Sequence, residues 1–347
     1  MKVLIVKLTS MGDVLHLMPA LSDLHAEHPQ AKIDWLVEDS FADIPSWHPA
    51  VNRIYKASTR RWRKLSKESR NEYALFVKEL RTTEYDVVLD AQGLIKSAWL
   101  ARKAKLTQTG FYAGFSGDSK KESPAAWAYQ VKAKVGRNQH AVTRLRQLFA
   151  KVFDYSINDE ANINYGLALA PNDINNKDTF FLFHGTTWKT KHIPDQRWRE
   201  LSELITSKGC KVKVCWGNDA EKKRAESIAL NNKMVTVLPK SSLTELAQEL
   251  QTAKGAIAVD TGLGHLSAAL NVPCVSIYGA TDPKLTGAVG QGQGHLQSSY
   301  SCAPCLSKTC KQLKDNIVDE PCYDEFSASV IWQKLSLLLN DKPEIKV

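Results

Sequence analysis

The sequence predicts an α/β protein made of two doubly wound halves. Three observations carry this. Short β-branched or aromatic runs alternate with amphipathic helical stretches along the chain, the pattern of parallel sheets covered by helices on both faces. A polar, turn-rich stretch, PNDINNKD at 171–178, interrupts that alternation, which then restarts. The most distinctive polar residues follow directly on strands, where open α/β sheets bind ligands.

In order, VLIVKL (3–8) reads as a buried strand, and TSMGD closes it as a turn. Val14, Leu17, Met18, Leu21 and Leu24 repeat at helical spacing, with Pro19 forcing the helix to start late or kink. KIDWLV (32–37) and YDVVLDAQG (85–93) are the next strands, the latter followed by the helical LIKSAWLARKA, and QTGFYAGF (108–115) is a further one. Residues 114–137, rich in Gly, Ser and Lys, read as a long loop, and 139–153 as a helix. In the second half, TFFLFHG (179–185), KVKVCWG, MVTVLP, GAIAVD and CVSIYG are strands. The helix at 194–209 has Pro at its start and Gly past its end. The expected units are 1–170, 171–325 and a C-terminal helix at 326–347 that packs back on the first domain.

At 347 residues two domains are the default, and 43% apolar content excludes general disorder. No apolar run reaches bilayer length, and the opening apolar run is too short for a secretory signal, so a cytoplasmic protein is expected. Seven cysteines, an odd count, fit a reducing compartment. The net charge of +9 points to an anionic partner: nucleic acid, a membrane surface or a phosphorylated substrate. Part of it is local, since TRRWRKLSKESR (59–70) sets Arg60, Arg61, Arg63, Lys64, Lys67 and Arg70 against Glu68 alone, although a solvated helix face accounts for this equally well.

Four turns carry chemistry. In TSMGDV, Gly12 permits close approach of the backbone to a ligand, while Asp13 is a helix N-cap or a general base. In HGTTWKTKHIP, Thr186, Thr187, Lys189 and Lys191 suit the oxygens of a diphosphate. In CWGNDAEKKR, Glu221 accepts from a ribose or an adenine, or serves the helix dipole. In VDTGLGH, the helix start at Gly262 offers N–H groups to an anion, Gly264 lets it come close and Thr261 adds a hydroxyl. Asp260 takes sugar hydroxyls or orients neighbours, and His265 is either a donor or a packed core residue. YGATDP (278–283) lines the same edge. There is no P-loop, and no dinucleotide fingerprint follows the first strand.

Cys302, Cys305, Cys310 and Cys322 contain one C-x-x-C pair, a weak metal pattern without a second tight pair. Free thiols or a disulfide are the plainer reading, their role stays open, and no metal is assigned. Cys210, Cys215 and Cys274 read as core residues.

Taken together, VLIVKLTSMGDVLHLMPAL, RRWRK, DAQGLIKSA, GTTWKTKH, VDTGLGHLSAAL and YGATDP resemble the ADP-heptose:lipopolysaccharide heptosyltransferases, glycosyltransferase family 9. IPSWHPAV, RRWRK and QHAVTRLRQLFA look like the type that adds the first heptose. The likeness runs from Met1 to about Pro283 and fades after about residue 290, where the cysteine cluster departs from the best-known members of this type. It implies two Rossmann-like domains facing across a cleft, the GT-B architecture. It implies ADP-L-glycero-D-manno-heptose as donor and the inner Kdo of Kdo2-lipid A as acceptor, in lipopolysaccharide core biosynthesis. Asp13 takes the catalytic-base position. Thr186, Thr187, Lys191, Glu221, Asp260, Thr261, Gly262 and His265 fall on donor positions, as does Ser241 with a residue type other than the commonest one. Arg60, Arg61, Arg63 and Lys64, with Lys96 and Arg144, match acceptor positions beside Ser10 and Gly12.

The expected reaction is a metal-independent inverting displacement without a cofactor. Lys191 acts on the leaving diphosphate, and the enzyme is a monomer held peripherally at the anionic cytoplasmic face of the inner membrane. A second-heptose transferase of the same family is the alternative. A nucleic-acid binder has the right charge but lacks the RNP, KH, zinc-finger or helix-turn-helix patterns such proteins carry.

Overall fold

Val3, Leu4, Ile5 and Val6 are wholly buried, which makes the first apolar run an interior strand covered on both faces. The computed structural model describes residues 1–119, 122–157, 163–172, 174–313 and 319–340. It divides into two units, Met1–Ala168 and Leu169–Val347.

The first unit runs β1 (Lys2–Val6), α1 (Met11–Leu15), α2 (Met18–Glu27), β2 (Lys32–Glu38), α3 (Asp43–Ser46), β3 (Val51–Ala57) and α4 (Thr59–Trp62). It continues with α5 (Lys67–Leu80), β4 (Glu84–Asp90), α6 (Ile95–Ala101), β5 (Lys105–Phe115), β6 (Val131–Ala133) and α7 (Ala141–Phe153). Its six strands are parallel in the order β3-β2-β1-β4-β5-β6. Leu4, Val6, Leu36, Val88 and Leu100 sit in its core.

The second unit runs β7 (Thr179–Phe183), α8 (Asp195–Ser207), β8 (Lys211–Val214), α9 (Asp219–Ala229), β9 (Val235–Val237) and α10 (Leu243–Leu250). Then come β10 (Gly255–Val259), α11 (Gly262–Ala269), β11 (Cys274–Tyr278), α12 (Pro283–Thr286), β12 (Gln293–Gln297) and α13 (Ala328–Asn340). Its sheet is parallel in the order β12-β11-β10-β7-β8-β9. Counted within the unit and read from the other edge, this is the same strand order as in the first. The strand order reverses between β1 and β4 in one unit and between β7 and β10 in the other, so each has one switch point, the place where open α/β sheets bind ligands.

Several expectations change. The edge strands β3 and β12 go unseen in the sequence because polar residues interrupt β3, β12 has a single large apolar residue, and both are only partly buried. The stretch 114–137 is not simply a loop: β6 lies within it and pairs with β5. The Pro19 ambiguity resolves into two helices, with Pro19 in the first turn of α2, where its missing N–H costs nothing. The C-terminal helix does not lie on the first domain as the sequence suggests. Instead Ile331 and Leu335 of α13 bury in the core of the second unit, and Trp332 meets Phe180 edge-on at 5.4 Å. That sheet leaves an apolar face which α13 covers.

Candidate active site

In the first unit the turn after β1 is built as a capping box. Ser10 caps α1, and Oδ2 of Asp13, at the third helical position, accepts from the Ser10 backbone N–H at 2.8 Å and from its hydroxyl at 3.0 Å. Asp13 is therefore not the N-cap itself but the partner that closes the cap. Its other oxygen, Oδ1, lies 3.8 Å from Lys7 Nζ, and its side chain remains 45% exposed. Lys7 is buried at the end of β1 and also donates to the Ala91 carbonyl at 3.3 Å. Burial pulls the Lys7 pKa down, while Asp13 and Asp90 oppose that shift. Gly12 is buried inside α1.

The turn after β4 locks onto this one. Gln92 Oε1 accepts from the N–H groups of Leu8 and Thr9 at 3.1 and 3.3 Å. Wholly buried Asp90 accepts from the N–H groups of Gln92 and Gly93, from Ser97 Oγ at 2.8 Å and from the Tyr129 hydroxyl at 2.5 Å. Burial raises the Asp90 pKa and these bonds resist it. Asp90 organises the turn and is not an accessible base.

The basic residues divide. Arg60, Arg63 and Lys64 are exposed, whereas Arg61 is engaged by Glu72 at 2.6 Å and Ser58 at 2.5 Å. Half-buried Lys96 donates to Thr59 Oγ1 at 3.3 Å, and that hydroxyl donates to Glu38 at 2.8 Å. Burial lowers the Lys96 pKa, Glu38 opposes, and Arg63 and Arg60 add to the depression. A cavity of about 200 Å³ lies here, lined by Thr9, Glu38, Ser58, Arg60 and Arg61 among others. It brings the basic segment to the β1 turn. Arg144 donates to the Ser119 carbonyl and lies 5.2 Å from the Phe115 ring centre. It is close enough to Lys7 to help depress the lysine's pKa.

In the second unit the turns after β7 and β10 are pinned together. Lys191 Nζ pairs with Asp260 Oδ2 at 2.6 Å, and Thr281 donates to the same oxygen at 2.5 Å. Thr186 Oγ1 donates to the Asp260 carbonyl at 3.1 Å. Of the two roles considered for Asp260, orienting its neighbours is the one the geometry displays. Lys191 also lies 4.6 Å from the Trp188 ring centre, and Thr187 is exposed.

Glu221 occupies the third position of α9 and accepts from the Gly217 N–H at 2.7 Å. A Cβ built on Gly185 would come within 2.8 Å of its carboxyl carbon, so glycine lets Glu221 reach the β7 turn. Thr261 caps α11, whose first turn begins at Gly262. The missing side chain of Gly264 faces Ser276 and Ala258 at 3.1 and 3.3 Å, so this glycine serves helix–sheet packing and not phosphate approach. His265 is buried within α11. Ser241 lies exposed beyond the edge strand β9, one residue ahead of the Ser242 cap of α10 and away from the switch point.

Sequence reasoning missed Lys7, Asp90, Gln92 and Thr281. The available signals were a lysine ending a buried strand and a carboxylate ending another one just before the positive-φ glycine Gly93.

The model of glycosyltransferase family 9 (heptosyltransferase) matches residues 73–315, more than half of the chain. This chain belongs to glycosyltransferase family 9 and is a heptosyltransferase-family enzyme. It is 47% identical over 315 residues to lipopolysaccharide heptosyltransferase 1 of Pseudomonas aeruginosa, covering 89% of this chain and 87% of that one. It is 43% identical over 299 residues to lipopolysaccharide heptosyltransferase 1 of Escherichia coli, covering 84% and 92%. The solved E. coli heptosyltransferase WaaC with ADP is 38% identical, with a TM-score of 0.84 over 97% of this chain and all of that one. The same enzyme solved with ADP-2-deoxy-2-fluoro heptose has a TM-score of 0.81, at 38% identity over 97% of this chain and 99% of that one. Among the described residues no helix of this family-9 enzyme is long and apolar enough to cross a membrane.

Proposed function

We propose that this enzyme transfers L-glycero-D-manno-heptose from ADP-heptose to the inner Kdo of Kdo2-lipid A, with inversion and without a metal at the diphosphate. The single observation that carries the mechanism is Asp13: it is half-exposed, fixed by its capping box at the end of β1 and backed by the buried Lys7. One oxygen holds the turn, which leaves the other to take the acceptor's proton. A positioned base on one face is what direct displacement needs.

In this reading the second unit holds the donor. The N–H groups at the start of α11 and the hydroxyls of Thr186, Thr187 and Thr261 meet the diphosphate, Glu221 meets the nucleoside, and His265 and Ser241 complete the donor set. Lys191 is oriented by Asp260 and shares its charge with it, so its contribution grows as negative charge collects on the departing ADP. The E. coli relative solved with ADP and with an ADP-heptose analogue supports an ADP-sugar donor.

The acceptor's carboxylates and phosphates fit Arg60, Arg63, Lys64, Lys96 and Arg144, with Ser10 and Gly12 at the β1 turn. The same cations, with exposed Trp99 on α6 and exposed Trp127 between β5 and β6, support peripheral binding to an anionic membrane by a monomer. Each cation near such a surface contributes roughly 1 kcal/mol.

Incubation with ADP-heptose and Kdo2-lipid A should yield, by mass spectrometry, a product heavier by one heptose. Transfer only to an acceptor that already carries heptose would replace this reading with the second-heptose type. Sedimentation with phosphatidylglycerol vesicles should weaken in the Arg60, Arg63 and Lys64 to Ala triple variant. Unchanged sedimentation would remove the membrane role.

A further inference from the structure

None of the seven cysteines takes part in the transfer scheme, and four of them gather in one place. Cys302, Cys305, Cys310 and Cys322 all line one cavity of about 20 Å³, beside Thr190 and Gly279. That is room for a single water-sized particle. None of the four is in a disulfide. Their intervals of two, four and eleven residues place them on the segment between β12 and α13.

We propose that these four cysteines form a tetrathiolate site for one thiophilic divalent cation, Zn²⁺ or Fe²⁺, which clamps the segment joining β12 to α13. Four sulfur donors around an ion-sized space select such a cation over the hard, oxygen-seeking ones. Cys310 Sγ already accepts the Gln312 N–H at 3.4 Å, the kind of bond that stabilises a metal-bound thiolate. A cation would bind here by displacing the thiol protons.

Among the described residues no three His, Cys, Asp or Glu side chains already stand as a closed ligand set. The thiols ring the cavity, and binding would draw them in by side-chain rotation. Cys302 and Cys305 are exposed and have the freedom to do so.

The clamp would brace the turns behind the proposed donor site. Tyr323 donates to the Thr190 carbonyl at 2.7 Å, Thr190 Oγ1 donates to the Ser307 carbonyl at 2.5 Å, and the Leu306 N–H donates to Ala280 at 2.8 Å. Thr190 adjoins Lys191, and Ala280 adjoins Thr281. This consequence rests on the donor reading above, whereas the metal site does not.

The test uses the full chain, reduced, loaded anaerobically with Zn²⁺ or Fe²⁺ in separate arms and desalted. Elemental analysis should find close to one ion per chain in at least one arm, with protons released on loading. Ellman's reagent should modify Cys302 and Cys305 at least ten-fold more slowly in the loaded chain than after chelation. The Cys302→Ser/Cys305→Ser variant should lose the ion at least ten-fold, and Cys210→Ala, outside the cluster, should keep it.

Fewer than about one ion per ten chains in both arms, with equal thiol reactivity before and after chelation, would overturn the site. So would stoichiometric binding that survives the double variant. All these readouts are independent of sugar transfer, so a failure of the proposed reaction leaves them intact.

Discussion

The two units share a strand order and a switch point, yet each handles its carboxylate differently. Asp13 follows β1 with one oxygen in a capping box, 45% exposure and its lysine 3.8 Å away. Asp260 follows β10 almost buried, with Lys191 at 2.6 Å and Thr281 at 2.5 Å on one oxygen. A carboxylate that is held but still open can exchange a proton with a ligand. One enclosed by a cation and a hydroxyl is committed to holding them. On the reaction proposed above, the same fold supplies a reactive group in one unit and a positioning group in the other, and the difference lies in what surrounds the strand end.

The sharpest way to break this contrast is Asp13→Asn. It should lower kcat by about 10²–10⁴-fold while ADP affinity, read by calorimetry, stays near wild type. Lost ADP binding with turnover intact would leave Asp13 a capping residue only.

Next in size is the buried pair. Asp260→Asn strands the Lys191 charge and Lys191→Ala strands the Asp260 carboxylate. Either should cost about 3–5 kcal/mol in urea unfolding, and Lys191→Ala should also raise the donor KM and lower kcat. Wild-type stability in both variants would place the pair in solvent and end the contrast.

Each unit also buries a neutral histidine. Burial lowers His48 and His184 to about 4, with His25 and Arg224 adding to the respective shifts. Below about pH 6.5 the unfolded chain takes up protons that the folded one refuses. Stability is therefore full above that pH and falls as pH drops toward 4, by an upper bound of about 3 kcal/mol per histidine. Unfolding curves at pH 7 and pH 4.5 should show the loss in both units. A flat profile would mean that neither histidine is kept neutral.

The smallest effect sharpens the comparison. Ser10→Ala removes the hydroxyl that donates to Asp13 Oδ2 and should cost about 1 kcal/mol, with a drop in kcat if that bond aims Asp13. A stability loss with kcat unchanged would separate capping from catalysis.

Much of this was readable in the residues. VLIVKL, YDVVLDAQG, TFFLFHG and GAIAVD show as strands because a parallel strand covered on both faces must be apolar almost throughout. The turns at Asp13, Thr186, Glu221 and Asp260 stand out because each follows such a run. Edge strands hid because Val51–Ala57 and Gln293–Gln297 are only partly buried and need little apolar character. Gly264 was misread because a glycine facing a sheet and one facing a ligand look alike in sequence.

By itself the sequence determined the two α/β halves, their parallel sheets and the strand-end turns, since periodicity and turn chemistry are local properties. Only the tertiary structure decided which carboxylate is open and which is enclosed, that Arg61 is spent on Glu72 while Arg63 is not, and that α13 closes the second unit. Those outcomes depend on contacts between residues such as Lys7 and Ala91, Lys191 and Asp260, or Phe180 and Trp332. Their separation along the chain leaves no local pattern, and burial, which sets the electrostatics, exists only once the chain has packed.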